Sequence, residues 1–228
     1  MSKERRGICP NVADPSNSDQ IQPQTDSEYD RLARQYGYVF PDALFGLCFE
    51  YLQPGQRLLD IGIGTGLSAL PFTRAGIEIY GMDNSQELLS ICKARSIAVE
   101  LKRVDICVKP WPYSDNFFDH VIACGVTHFI PDLEPIFQEV SRLARPKGIF
   151  AFTIKTPQND VKVGANQGKY ITEMIEGVQI FSHYRTYYEA MLSSSGFIMR
   201  KQLKFLLTRG AVDQDDLYTA CIAQKPDS

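Results

Sequence analysis

The chain has 228 residues, a formal net charge of −3 and 44% hydrophobic residues, enough for one domain with a sizeable core and too short for two. This slightly acidic balance argues against a nucleic-acid footprint spread over the surface. Residues 1–10 are charged and lack the apolar stretch of a secretory signal, and no apolar run is long enough to span a bilayer, so a cytoplasmic setting without membrane contact is expected.

Residues 1–25 are rich in Asn, Asp, Ser, Gln and Pro and are expected to form a mobile tail. From Asp26 onwards a single domain, 26–228, is expected. Tyr29, Leu32, Ala33 and Tyr36 recur at helical spacing, and Leu44, Leu47, Cys48 and Tyr51 do so again before Pro54-Gly55 breaks the chain. Strand-like and helix-like runs then alternate. Strands are expected at 57–61, 77–82, 99–104, 118–124 and 149–154. A helix at 67–74 follows the first strand. Asn84 opens another, with Leu88, Leu89 and Cys92 on one face. Asp132 is expected to cap a third, whose core stripe is Leu133, Ile136, Phe137, Val140, Leu143 and Ala144, and Arg145-Pro146-Lys147-Gly148 reads as its stop and turn. Residues 155–184 lose the pattern and read as an insertion or lid. A last helix at 187–195 precedes strands at 197–207 and 217–223, and with no helix between them these two should pair antiparallel.

The implied class is α/β: a doubly wound, mostly parallel sheet of seven strands ending in an antiparallel strand pair. Such sheets bind ligands beyond the carboxyl ends of their strands, where strand order reverses. The six cysteines, Cys9, Cys48, Cys92, Cys107, Cys124 and Cys221, form no CxxC pair and mostly lie in apolar runs, so they read as small hydrophobes and not as a metal or disulfide framework.

The run Leu58-Leu59-Asp60-Ile61-Gly62-Ile63-Gly64-Thr65-Gly66 holds three glycines in five residues, after a buried strand and before a helix. Its spacing is G-x-G-x-G. The dinucleotide fingerprint would need a third small residue where Leu67 stands, and no Gly-Lys-Ser/Thr follows to make a phosphate loop. A carboxylate at Asp60 would repel a pyrophosphate and suit a cation. Asp83, roughly twenty residues after the turn, could accept ribose hydroxyls or could cap the next helix.

The segment Asp60 to Gly66 resembles the first motif of the class I S-adenosylmethionine-dependent methyltransferases. The resemblance extends over residues 29–223 and is best over 58–154. It implies a Rossmann-like fold and S-adenosylmethionine as cofactor, with Gly62, Gly64 and Gly66 along its methionine and ribose portions and Asp60 near its amino-acid end. Asn84 would lie beside the adenine or serve as the helix cap. Asp105 resembles the family's acidic adenine contact, with the Ile106 amide nearby, or is a turn aspartate. Cys124 would face the cofactor through its carbonyl. Tyr29 and Tyr36 lie where relatives carry an N-terminal helix that closes over the cofactor, though ordinary packing explains them equally well. Trp111, between two prolines, reads as a packed loop anchor.

Methyl transfer needs alignment and exclusion of water more than it needs a metal or a covalent nucleophile, and the chain has no HExxH, G-x-S-x-G or cysteine–histidine ligand spacing. Of the three histidines, His120 reads as structural. His128 follows the fourth strand, where many family members carry a histidine, although Phe129 departs from their double-histidine form. His183 resembles a histidine near the substrate mouth of some relatives. His128 and His183 are therefore the candidate catalytic bases. A small-molecule acceptor is expected, covered by residues 155–184. The rivals are a nicotinamide-dependent oxidoreductase, opposed by the glycine spacing and by Asp60, and a non-catalytic cofactor-binding partner subunit. Without a basic run, RNA is disfavoured as acceptor.

Overall fold

Apolar runs flanked by glycine and proline form the inner strands of the computed structural model, which describes residues 30, 31, 33, 38–158, 168–175, 177–208 and 215–227. The expected tail at 1–25 and the residues Tyr29, Leu32 and Tyr36 lie outside the described residues. The strands are β1 (Arg57–Ile61), β2 (Glu78–Asp83), β3 (Glu100–Arg103), β4 (Phe118–Ala123), β5 (Ala144–Lys155), β6 (Tyr170–Ile175), β7 (Val178–His183), β8 (Ile198–Thr208) and β9 (Asp215–Gln224). Seven of them make one sheet in the order β3-β2-β1-β4-β5-β9-β8. The pairs among β1 to β5 are parallel, while β9 pairs antiparallel with both β5 and β8. Strand order reverses between β1 and β4, which places the switch point at the glycine-rich turn leaving β1.

The helices are α1 (Phe40–Cys48), α2 (Leu70–Arg74), α3 (Gln86–Ala94), α4 (Glu134–Leu143) and α5 (Arg185–Ser194). One core joins α1, α2 and α3 to a sheet face through Phe40, Leu44, Phe72, Leu89 and Cys92. The other joins α4 and α5 to the opposite face through Phe137, Val140, Tyr188 and Leu192. Covered on both sides, β1 buries four successive residues, which is why it reads as an apolar run and not as an alternation.

Four local expectations shift. The helix expected from residue 67 begins at Leu70, because Pro71 fits only its first turn. The cap of α3 is Ser85, whose side chain accepts the Leu88 amide at 3.3 Å, and not Asn84, because β2 runs one residue further than expected. Asp132 stands one position before the formal cap of α4, where it accepts the Glu134 amide at 3.3 Å and the Tyr187 hydroxyl at 2.9 Å. The stop at Arg145 to Gly148 is a bulged start of β5. There Lys147 has φ of 65°, the β4–β5 register shifts, and hydrogen bonds from Lys147 to Lys225 and from Lys225 to Gly148 carry the ladder on. The patternless stretch at 155–184 contains the antiparallel hairpin β6–β7, which packs on the short 3₁₀ turn Thr127–Phe129 and on the end of β5.

Candidate functional site

The first strand delivers Asp60 into the interior. Its residue is fully buried, its Oδ2 accepts the Ser68 hydroxyl at 2.5 Å, and its buried Oδ1 has no partner. Burial pushes its pKa up to about 7, the Ser68 bond opposes this, and the neighbouring Asp83 adds to it. Among the described residues no lysine or arginine pairs with Asp60.

Beyond Asp60 the chain folds onto the end of β2. The amides of Gly62 and Ile63 both donate to the Met82 carbonyl, at 2.7 and 3.0 Å. A Cβ on Gly62 would lie 2.5 Å from Val126 Cγ2 in the loop after β4, so a larger residue would force Val126 to move and would strain a backbone at φ of 70°. Gly64, at φ of 54°, differs: among the described residues a Cβ there would meet nothing closer than Leu88 Cδ1 at 3.9 Å, so these residues leave the backbone open to close approach. Its amide donates to Asp83 Oδ2 at 2.9 Å, and the Ser85 amide donates to Asp83 Oδ1 at 2.8 Å. Each of these oxygens keeps a second lone pair for a further donor. Gly66 closes the turn by donating to the Ile63 carbonyl at 2.9 Å.

The remaining predicted positions lie at or just beyond the ends of β2, β3 and β4. Asn84 is exposed, and its carbonyl accepts Arg103 Nε at 3.0 Å. Asp105 is half-buried and accepts the Cys107 amide at 2.9 Å, while the Ile106 carbonyl accepts Trp111 Nε1 at 3.1 Å. Trp111 is 2% exposed and its amide donates to Glu139 Oε2 at 2.8 Å, so it anchors the loop that carries Asp105. Cys124 is buried just after β4, and burial pushes its thiol up, which keeps it neutral.

The histidines divide by role. His120 lies between the Ile149 amide, which donates to Nδ1 at 3.3 Å, and Gln56 Oε1, 2.8 Å from Nε2, so it is a strand-to-strand tie. His128, in the 3₁₀ turn, packs against Phe129 with ring centroids 4.1 Å apart. Burial, with Lys155 and His183 nearby, pushes His128 down to about 3. His183 on β7 is fully buried, donates from Nε2 to the Thr127 carbonyl at 3.2 Å, and is pushed down to about 4 by burial. Both rings are neutral at pH 7, and Nδ1 of each is buried without a partner.

Three features of this region have no local sequence signal. Asp30, fully buried, accepts the Thr65 hydroxyl at 2.7 Å and forms an ion pair with Arg95, whose Nη1 donates to the Thr65 carbonyl at 2.9 Å. This network holds Asp30 against the glycine-rich turn. Ser68 gives no hint in sequence that it reaches back to Asp60. Lys155, its side chain 3% exposed, lies 2.7 Å from Glu173 Oε2 and 3.0 Å from Asp216 Oδ1, so it ties β5 to the hairpin and to β9.

Fold and site define a doubly wound α/β protein with an acidic, glycine-rich turn at its switch point. The profile of a family described as "Methyltransferase domain" matches residues 59–152. The chain is 30% identical over 164 residues to a demethylmenaquinone methyltransferase of Bacillus mycoides, covering 67% of this chain and 68% of that one. It is 33% identical over 104 residues to the sterol 24-C-methyltransferase of Schizosaccharomyces pombe, covering 43% of this chain but spanning only 28% of that relative's length. Its fold matches a solved S-adenosylmethionine-dependent methyltransferase from Methanosarcina mazei with a TM-score of 0.67 at 16% identity, over 81% of this chain and 99% of that one. The chain belongs to the class I S-adenosylmethionine-dependent methyltransferases, and S-adenosylmethionine is its cofactor. The residues present fit that group: an unpartnered buried carboxylate oxygen suits an ammonium, and the open side of Gly64 suits a ligand pressed against the backbone.

Proposed function

We propose that this chain methylates a small-molecule acceptor, using a cleft at the carboxyl ends of β1, β2 and β4 and beneath the hairpin β6–β7. The observation that carries the reading is Asp60, a buried carboxyl with no cation among the described residues and with a second carboxyl for a neighbour, beside an open glycine turn. Such a group calls for a ligand that brings positive charge.

Bound there, S-adenosylmethionine supplies an electrophilic methyl group on a cationic sulfur. The backbone of Gly62, Gly64 and Gly66 lines its methionine and ribose portions, and Asp60 receives its amino-acid end. Asp83 takes the ribose hydroxyls with its remaining lone pairs. Asn84, Asp105 and Ile106 flank the adenine, and Cys124 turns its carbonyl towards the cofactor. On the acceptor side the hairpin excludes water, and the candidate bases are His128 and His183, both neutral and buried, so an acceptor would meet them only from within the site. Bases this weak suit an acceptor that needs little or no deprotonation. The relatives named for demethylmenaquinone and sterol methylation support a small molecule as acceptor.

Thermal-shift measurements with S-adenosylhomocysteine and NADH test the reading. Stabilisation by S-adenosylhomocysteine is expected. Stabilisation by NADH alone would reject it.

A further inference from the structure

The two oxygens of Asp60 are held unequally. Oδ2 is fixed by the Ser68 hydroxyl at 2.5 Å, and Oδ1 is buried with no partner. Ser68 itself is 7% exposed, in the turn between Gly66 and α2 that the Leu70 amide closes by donating to the Gly66 carbonyl at 3.2 Å. The titratable groups that face Asp60 are Asp83 at the end of β2, Cys92 on α3 and Cys124 after β4. Burial pushes Cys92 up to about 12 and raises Cys124 as well, so both thiols are neutral, and Asp83 adds negative charge. Among the described residues, the Ser68 hydroxyl is therefore the group that stabilises the carboxylate from within the protein.

We propose that Ser68 is a positioning residue for the cofactor: its hydroxyl orients Asp60 so that Oδ1 meets the ammonium of the amino-acid end. This rests on the cofactor assignment made above. A proton balance follows. With Asp60 raised to about 7 by burial, part of the empty protein carries a proton there at neutral pH. When the ammonium arrives, the carboxyl must ionise, and that proton passes to solvent. Removing the hydroxyl removes a bond that favours the anion. The pKa of Asp60 then rises further, binding weakens at neutral pH, and proton release moves to higher pH.

The test is calorimetry with two ligands from about pH 6 to about pH 8, in two buffers of different ionisation enthalpy. S-adenosylhomocysteine carries the amino-acid end, and 5′-methylthioadenosine has the same nucleoside without it. Ser68→Ala is expected to weaken S-adenosylhomocysteine about tenfold near neutral pH and to leave methylthioadenosine within about twofold. Ser68→Cys, close in volume but a poorer donor, should show the same asymmetry and covers the case in which the alanine variant misfolds. Equal weakening of both ligands, or an unchanged proton release, would overturn the inference. A native protein that bound neither ligand would instead overturn the cofactor assignment beneath it.

Discussion

At the scale of single residues, the carboxylates at the switch point serve the protein's own scaffold, and in the proposed function they meet a ligand as well. Asp83 braces the turn through Gly64 and opens the approach to α3 through Ser85. Asp83 is not the cap of α3, which is Ser85, and its carboxylate keeps lone pairs for a further donor. Asp83→Ala should weaken S-adenosylhomocysteine by about 2 kcal/mol, the loss expected for hydrogen bonds to a charged group. It should lower the melting temperature only slightly, since Asp83 is half-buried. Calorimetry paired with a thermal melt checks both, and unchanged affinity would contradict the ribose assignment. Gly64→Val should remove binding by a different route, because it fills the open side of the turn and strains a backbone at φ of 54°.

What the sequence told of these residues depended on distance along the chain. Asp60 was legible because a carboxylate among Leu58, Leu59 and Ile61 stands out, and the glycines were legible because they are consecutive in pattern. Asp30 was not, because its partners Thr65 and Arg95 come from separate elements that meet only in the fold.

At the scale of elements, strands covered on both faces left a clear apolar run, and β1, β2 and β4 were readable within a residue or so of their ends. The hairpin was not. β6 is exposed or half-exposed along its length and its sequence, Tyr-Ile-Thr-Glu-Met-Ile, shows no polar and apolar alternation. What attaches it is tertiary: Lys155 to Glu173, and His183 to the Thr127 carbonyl. Lys155→Met leaves Asp216 and Glu173 without that cation. Because Glu173 is 40% exposed, the loss is expected at about 1–2 kcal/mol, below that of a fully buried pair. Hydrogen exchange should speed up in β6 and β7 and stay unchanged in β1 and β4, with Lys155→Arg close to native. A uniform rise across the sheet would show that Lys155 supports the whole fold and not the hairpin.

At the scale of the whole molecule, sheet order does the assembling. Reversal between β1 and β4 brings the turn after β1, the acid at the end of β2 and the loop after β4 to one edge, and Val126 touching the Cα side of Gly62 marks how closely these loops meet. The antiparallel end of the sheet contributes the Asp216 anchor for Lys155, so even its last strand bears on this edge. Alternation of strands and helices announced the architecture from the sequence. It could not announce which side chains would converge, since that follows from strand order and register. A structure with S-adenosylhomocysteine tests the central claim most directly. The ligand is expected along the glycine turn, its ammonium on Asp60 and its sugar on Asp83. A ligand bound elsewhere, with Asp60 left unpartnered, would contradict it.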